Sequence, residues 1–181
     1  MVAVMIQLVP RDVAFDITKL GGTPYESEAI VNAANSHLKA GSGVCESIFE
    51  AAGLHDLQQA CDAIGGCPTG EARLTPAFNL ATQGVKGIIH AVGPRFSLDA
   101  EAESENLLRS AYQAAVKCAQ DAGFRTVAFP SISTGIYDFP RRRAAEISVE
   151  ALREVDGTNI RIHLVAFKKE AAKFWGDALG A

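Results

Sequence analysis

The chain has 181 residues, of which 48% are hydrophobic and 21% charged, with a formal net charge of −4. That length buries a core without help from disulfides or metal, and the mild negative charge excludes a general attraction to nucleic acid or membrane surfaces. No segment nears the roughly 18 consecutive apolar residues that span a bilayer, so a cytoplasmic, soluble protein is expected, and any anion site must be built locally from backbone N–H groups and a few arginines.

Residues 1–12 form an apolar run with no basic start or cleavage site, and predict a first strand over 4–9. A second strand is predicted over 13–17; on position alone, Asp16 there reads as a turn or cap residue before Thr18-Lys19. Ala29-Ile30-Val31 opens a buried strand that breaks at the small polar turn Asn32-Ala33-Ala34-Asn35. A link over 36–40 leads to Gly41-Ser42-Gly43 and then to a helix over 43–52, with Val44, Ile48, Phe49 and Ala52 at helical spacing. Strand, glycine-bearing loop and helix start in that order gather free backbone N–H groups at the positive end of a helix dipole, which suits a phosphate. The glycines let an anion approach the backbone. This loop is neither a Walker A sequence nor G-x-G-x-x-G.

Further strands are predicted at 71–76, 87–92, 125–130 and 160–166, and helices at 55–63, 102–122, 141–155 and 168–179. Interleaved strands and helices argue an α/β fold, a mostly parallel sheet covered on both faces, with ligands beyond the carboxyl ends of the strands. Ser131 to Tyr137 falls at such an end, and its small hydroxyls and glycine give a second N–H-rich loop. His90 lies in an apolar strand and reads as a core histidine, and Trp175 as a packing residue. Cys45, Cys61, Cys67 and Cys118 show no C-x-x-C spacing, so free thiols and no metal are expected. Arg141, Arg142 and Arg143 stand where a helix begins, against the dipole. They read either as a solvated run with its stems packed on the protein or as a contact for an acidic partner, RNA or poly-ADP-ribose.

The VNAAN turn before Gly41-Ser42-Gly43 resembles the macrodomain family, which binds ADP-ribose. The likeness continues through Asp16-Ile17, the segments Gly70–Pro76 and Gly87–Pro94 that look like the family's central strands, FPSISTGIY at 129–137, and a last strand over Ile162–Phe167. It covers most of the chain. It implies one domain over 1–181, a three-layer α/β/α sandwich with a central mixed, mostly parallel sheet, acting as a monomer. It also implies that Asp16, Ile17 and Phe167 hold adenine, and that Gly41, Ser42, Gly43, Val44 and Cys45 with Ser133, Thr134, Gly135 and Ile136 hold the diphosphate. Asn35 and Tyr137 would take the terminal ribose as the catalytic positions, with ADP-ribose as ligand and no cofactor. The implied activity is hydrolysis of mono-ADP-ribose from proteins and of O-acetyl-ADP-ribose; a non-catalytic reader is the alternative. One departure bears on this choice. MacroD-type hydrolases carry an Asp where this chain has Cys45, although alphavirus-type macrodomains also have a Cys there. The next residue, Glu46, should point elsewhere on the helix.

Overall fold

The computed structural model describes residues 4–155 and 159–180. Its frame is a six-stranded sheet of β1 (Met5–Leu8), β2 (Ala29–Ala33), β3 (Ala72–Pro76), β4 (Gly87–Ala91), β5 (Thr126–Phe129) and β6 (Arg161–Leu164). The strand order is β1-β6-β5-β2-β4-β3. All neighbours run parallel except β3, which pairs antiparallel with β4. The segment expected as a central strand at 70–76 is therefore an edge, in keeping with its incomplete burial, since Leu74 and Pro76 are exposed and Arg73 only partly covered. By contrast β4 is buried at every position, as a strand covered on both faces must be.

Side chains alternate along the strands and divide the core in two. Val31, Ile89, Phe129 and Leu164 pack against α3 (Glu101–Asp121), α4 (Arg141–Arg153) and α5 (Lys169–Leu179). Ile30, Ile88, Ala128 and Val165 face α1 (Val44–Ala52) and α2 (Leu54–Ile64). The result is the three-layer α/β/α sandwich.

A second strand over 13–17 does not form. Val13 and Ala14 donate their N–H groups to the Pro10 carbonyl in a turn, and Ile17–Lys19 is a single 3-10 turn. Asp16 caps it, its Oδ1 accepting from Thr18 N at 2.9 Å and Thr18 Oγ1 at 2.7 Å. A short Asp-x-Thr signal thus overrides an apolar run too brief to pair. The first predicted strand, over 4–9, forms as β1 (Met5–Leu8).

Candidate functional site

The carboxyl ends of the parallel strands open into one cleft of about 610 Å³, within the range of small-molecule sites. Every residue singled out above for ligand or catalysis lines it: Asp16, Ile17, Asn35, residues 41–45, residues 133–137 and Phe167. Strand order sets their sequence across the cleft. The turn after β1 and the end of β6 lie at one side, the loop after β5 in the middle, and the loops after β2 and β4 at the other side.

The first loop is shaped from within. Leu38, 1% exposed and in the left-handed region at φ 54°, plugs the core beneath it. Asn35 spans the turn, its Nδ2 donating to the Lys39 carbonyl at 2.8 Å and its Oδ1 accepting from Lys39 N at 3.1 Å. Asn35 is thus the residue that forms the turn. Asn32 instead sits buried in β2, its Nδ2 directed at His90 Nδ1, 3.1 Å away. At the start of α1, Gly43 occupies the cap position at φ 65°, a conformation that favours glycine, and no side chain caps the helix. The first-turn N–H groups are left facing the cleft.

The second loop hangs from α3. Tyr112 Oη accepts from Ile132 N at 3.1 Å and donates to the Pro130 carbonyl at 3.3 Å; burial pushes this phenol up to about 12, so it stays protonated. Phe139 N donates back to the Ser133 carbonyl at 3.0 Å. Among the described residues the amides of Ser133 to Tyr137 find no acceptor, and Ser133 Oγ is buried without a partner. Ser133 (φ 65°) and Asp138 (φ 53°) both stand in the left-handed region.

At the β1–β6 side two aromatics flank the cleft. Phe167 is 61% exposed and Phe15 50%, with ring centroids 6.3 Å apart. Arg11 fixes the pair by donating through Nη1 to the Ala166 and Phe167 carbonyls, each at 2.5 Å, with its guanidinium 5.4 Å from the Phe15 ring. Phe15 escaped the sequence reading, because a phenylalanine in an apolar run carries no signal of exposure. Gly93 escaped it too; it lies beneath Ser133 at the back of the cleft. At the opposite side Arg95 stacks over Tyr137, 4.7 Å from the ring centroid, and Phe96 N donates to the Tyr137 carbonyl at 2.9 Å.

Cys45 is buried, and burial raises its thiol above the ordinary range, which disarms it as a nucleophile. Glu46 is exposed and lies outside the cleft lining. His90 is fully buried, with Thr75 Oγ1 3.0 Å from its Nε2, and burial lowers it to about 4. The arginine run is paired within the chain: Arg141 with Glu170, Arg142 with Asp177 and over the Phe174 ring, and Arg143 with Glu105 through two bonds of 2.6 and 2.8 Å. Among the described residues no cluster of three His, Cys, Asp or Glu side chains could hold a metal ion.

Comparison with known proteins agrees with this architecture. The Macro domain family profile matches residues 31–148. An uncharacterized protein of Fusobacterium nucleatum is 52% identical over 145 residues, covering 80% of this chain and 78% of its own. A protein of Escherichia fergusonii named O-acetyl-ADP-ribose deacetylase is 40% identical over 171 residues, 91% of each chain. Among solved structures, the Oceanobacillus iheyensis macrodomain with ADP superposes with a TM-score of 0.83 at 29% identity, over 97% of this chain and 90% of that one. A mutant of the same macrodomain with ADPR scores 0.83 at 30% identity, again over 97% and 90%. The chain belongs to the Macro domain family.

Proposed function

We propose that the cleft binds ADP-ribose and that the chain hydrolyses mono-ADP-ribose esters on acidic side chains of proteins, with O-acetyl-ADP-ribose as a second ester substrate. The observation that carries this reading is the pair of amide-rich loops, 42–45 and 133–137, placed between an aromatic side and a polar side of one cleft. A diphosphate supplies the acceptors those N–H groups lack. Adenine packs against Phe167 and Phe15, and the free Oδ2 of Asp16 takes the exocyclic amino group while Oδ1 keeps its cap. The terminal ribose then reaches the side held by Asn35 and Tyr137. Relatives named O-acetyl-ADP-ribose deacetylase support an ester as the bond broken. Fixed geometry and a row of oriented amides supply what such a reaction needs most.

A reader that binds without turnover is the second reading, and one observation favours it: the position after Val44 holds a buried thiol in place of an acid. Single-turnover release of ADP-ribose from a glutamate-linked, mono-ADP-ribosylated protein separates the two. Hydrolysis predicts release that survives Cys45→Ala and falls by about 10- to 100-fold in Asn35→Ala, through a lost turn and lost ribose positioning. Binding of free ADP-ribose with no release makes the protein a reader.

A further inference from the structure

The hydrolysis proposed above requires a group that orients water and accepts its proton, and the usual candidates are absent from where it is needed. Cys45 is a buried thiol. His90 and His163 are buried and lie outside the cleft lining. Three carboxylates do line the cleft: Asp16, Asp138 and Glu170. Asp16 stands on the aromatic side with one oxygen committed to Thr18. Glu170 is held by Arg141 Nη1 at 2.5 Å. The side chain of Asp138 alone of the three has no partner among the described residues.

The backbone puts Asp138 on the other side of the cleft from the aromatics. It follows Tyr137, whose carbonyl is tied to Phe96 beyond β4, whereas Phe167 lies just past the end of β6, three strands away in the sheet order. At φ 53° the residue occupies the left-handed region, which aspartate adopts more readily than most side chains, and its side chain is exposed at the rim.

We propose that Asp138 is the general base of this site, a reading that rests on the cleft being an ADP-ribosyl-ester hydrolase. The carboxylate takes a proton from water as the water oxygen bonds the ester carbonyl carbon. The carbonyl C–O bond to the ribose then breaks, Asp138 returns its proton to the departing ribose oxygen, and the freed acid ionises to solvent. Arg95 is stacked on the neighbouring Tyr137 ring and has no acidic partner among the described residues.

The test compares the wild type with Asp138→Asn and Asp138→Gly in single-turnover release from a glutamate-linked ADP-ribosylated protein. Free ADP-ribose binding is followed by calorimetry and stability by thermal unfolding. Both variants should lose about 100-fold or more in release while holding their ADP-ribose affinity within about twofold. Asp138→Gly should melt close to the wild type, because glycine accepts the same backbone conformation. Release within about threefold of wild type in either variant overturns the proposal, as does a fall in affinity that matches the fall in release. A wild type that binds ADP-ribose yet releases none overturns the hydrolase reading and this base with it; one that binds no ADP-ribose overturns the reading of the cleft itself.

Discussion

Gly93 sets how closely the second loop approaches the sheet. A Cβ there would lie 2.2 Å from Ser133 Oγ and 2.5 Å from Ile132 Cγ2, distances that no side chain tolerates. Gly93→Ala must push the loop outward, and we expect about 1–3 kcal/mol of lost stability in urea unfolding together with weakened ADP-ribose binding. Ser133 responds differently. Its orphaned hydroxyl makes Ser133→Ala a loss for a ligand oxygen but no loss for the fold. At the aromatic side, Phe167→Ala and Phe15→Ala should each cost about 1–3 kcal/mol of ADP-ribose affinity by calorimetry, with ribose 5-phosphate binding unaffected. These residues also mark what the sequence could and could not disclose. Both loops were legible because small polar and glycine-rich motifs punctuate apolar strands, whereas Asp16 and Phe167 were singled out only through the family resemblance. Phe15 and Gly93 were not, because their roles arise from contacts with residues 152 and 40 positions away. The role of Asn32 was hidden for a similar reason. Asn32 meets His90 across the β2–β4 pairing, and only tertiary pairing could reveal it.

Among the elements, α4 is the one whose sequence conflicts most with its position. Three arginines at its start oppose the dipole, and the fold answers with carboxylates from the flanking helices: Glu105 on α3, Glu170 at the start of α5 and Asp177 further along it. The arginine run is therefore a clasp between helices, which accounts for it without nucleic acid. Arg143 matters most, since it meets Glu105 through a two-pronged contact and holds that carboxyl below its usual range. Arg143→Ala should lower stability by about 1 kcal/mol, with part of the effect lost in high salt, whereas Arg142→Ala should cost about half as much. Helices were readable from periodicity to within two residues at their ends, because an amphipathic stripe is a local property. The missing strand at 13–17 was misread because a strand needs a partner, and β1 finds its own in β6.

In the whole molecule, two buried histidines make folding sensitive to acid. His90 is neutral in the fold down to about pH 4, against 6.5 in an unfolded chain, because burial disfavours its charge. Its contribution is complete above about pH 6.5 and lost as the pH falls toward about 4, since the unfolded chain binds the extra proton. That difference amounts to about 3 kcal/mol. Burial shifts His163 in the same direction. Urea unfolding at pH 7 and pH 4.5 should show the decline, and His90→Gln, which cannot titrate, should flatten it. His90 meets Asn32, whose Nδ2 also lies 3.5 Å from Sγ of the cleft-lining Cys45, so acid should disturb the first loop along with the fold. The central claim is that one ligand bridges the two loops. It is tested most directly by following backbone amide resonances while ADP-ribose is added. Saturable shifts are expected at Ser42 to Cys45 and at Ser133 to Tyr137 together, with Asp16 and Phe167 moving at the same ligand concentration. Shifts in only one loop, or saturation at residues outside the cleft, would contradict it.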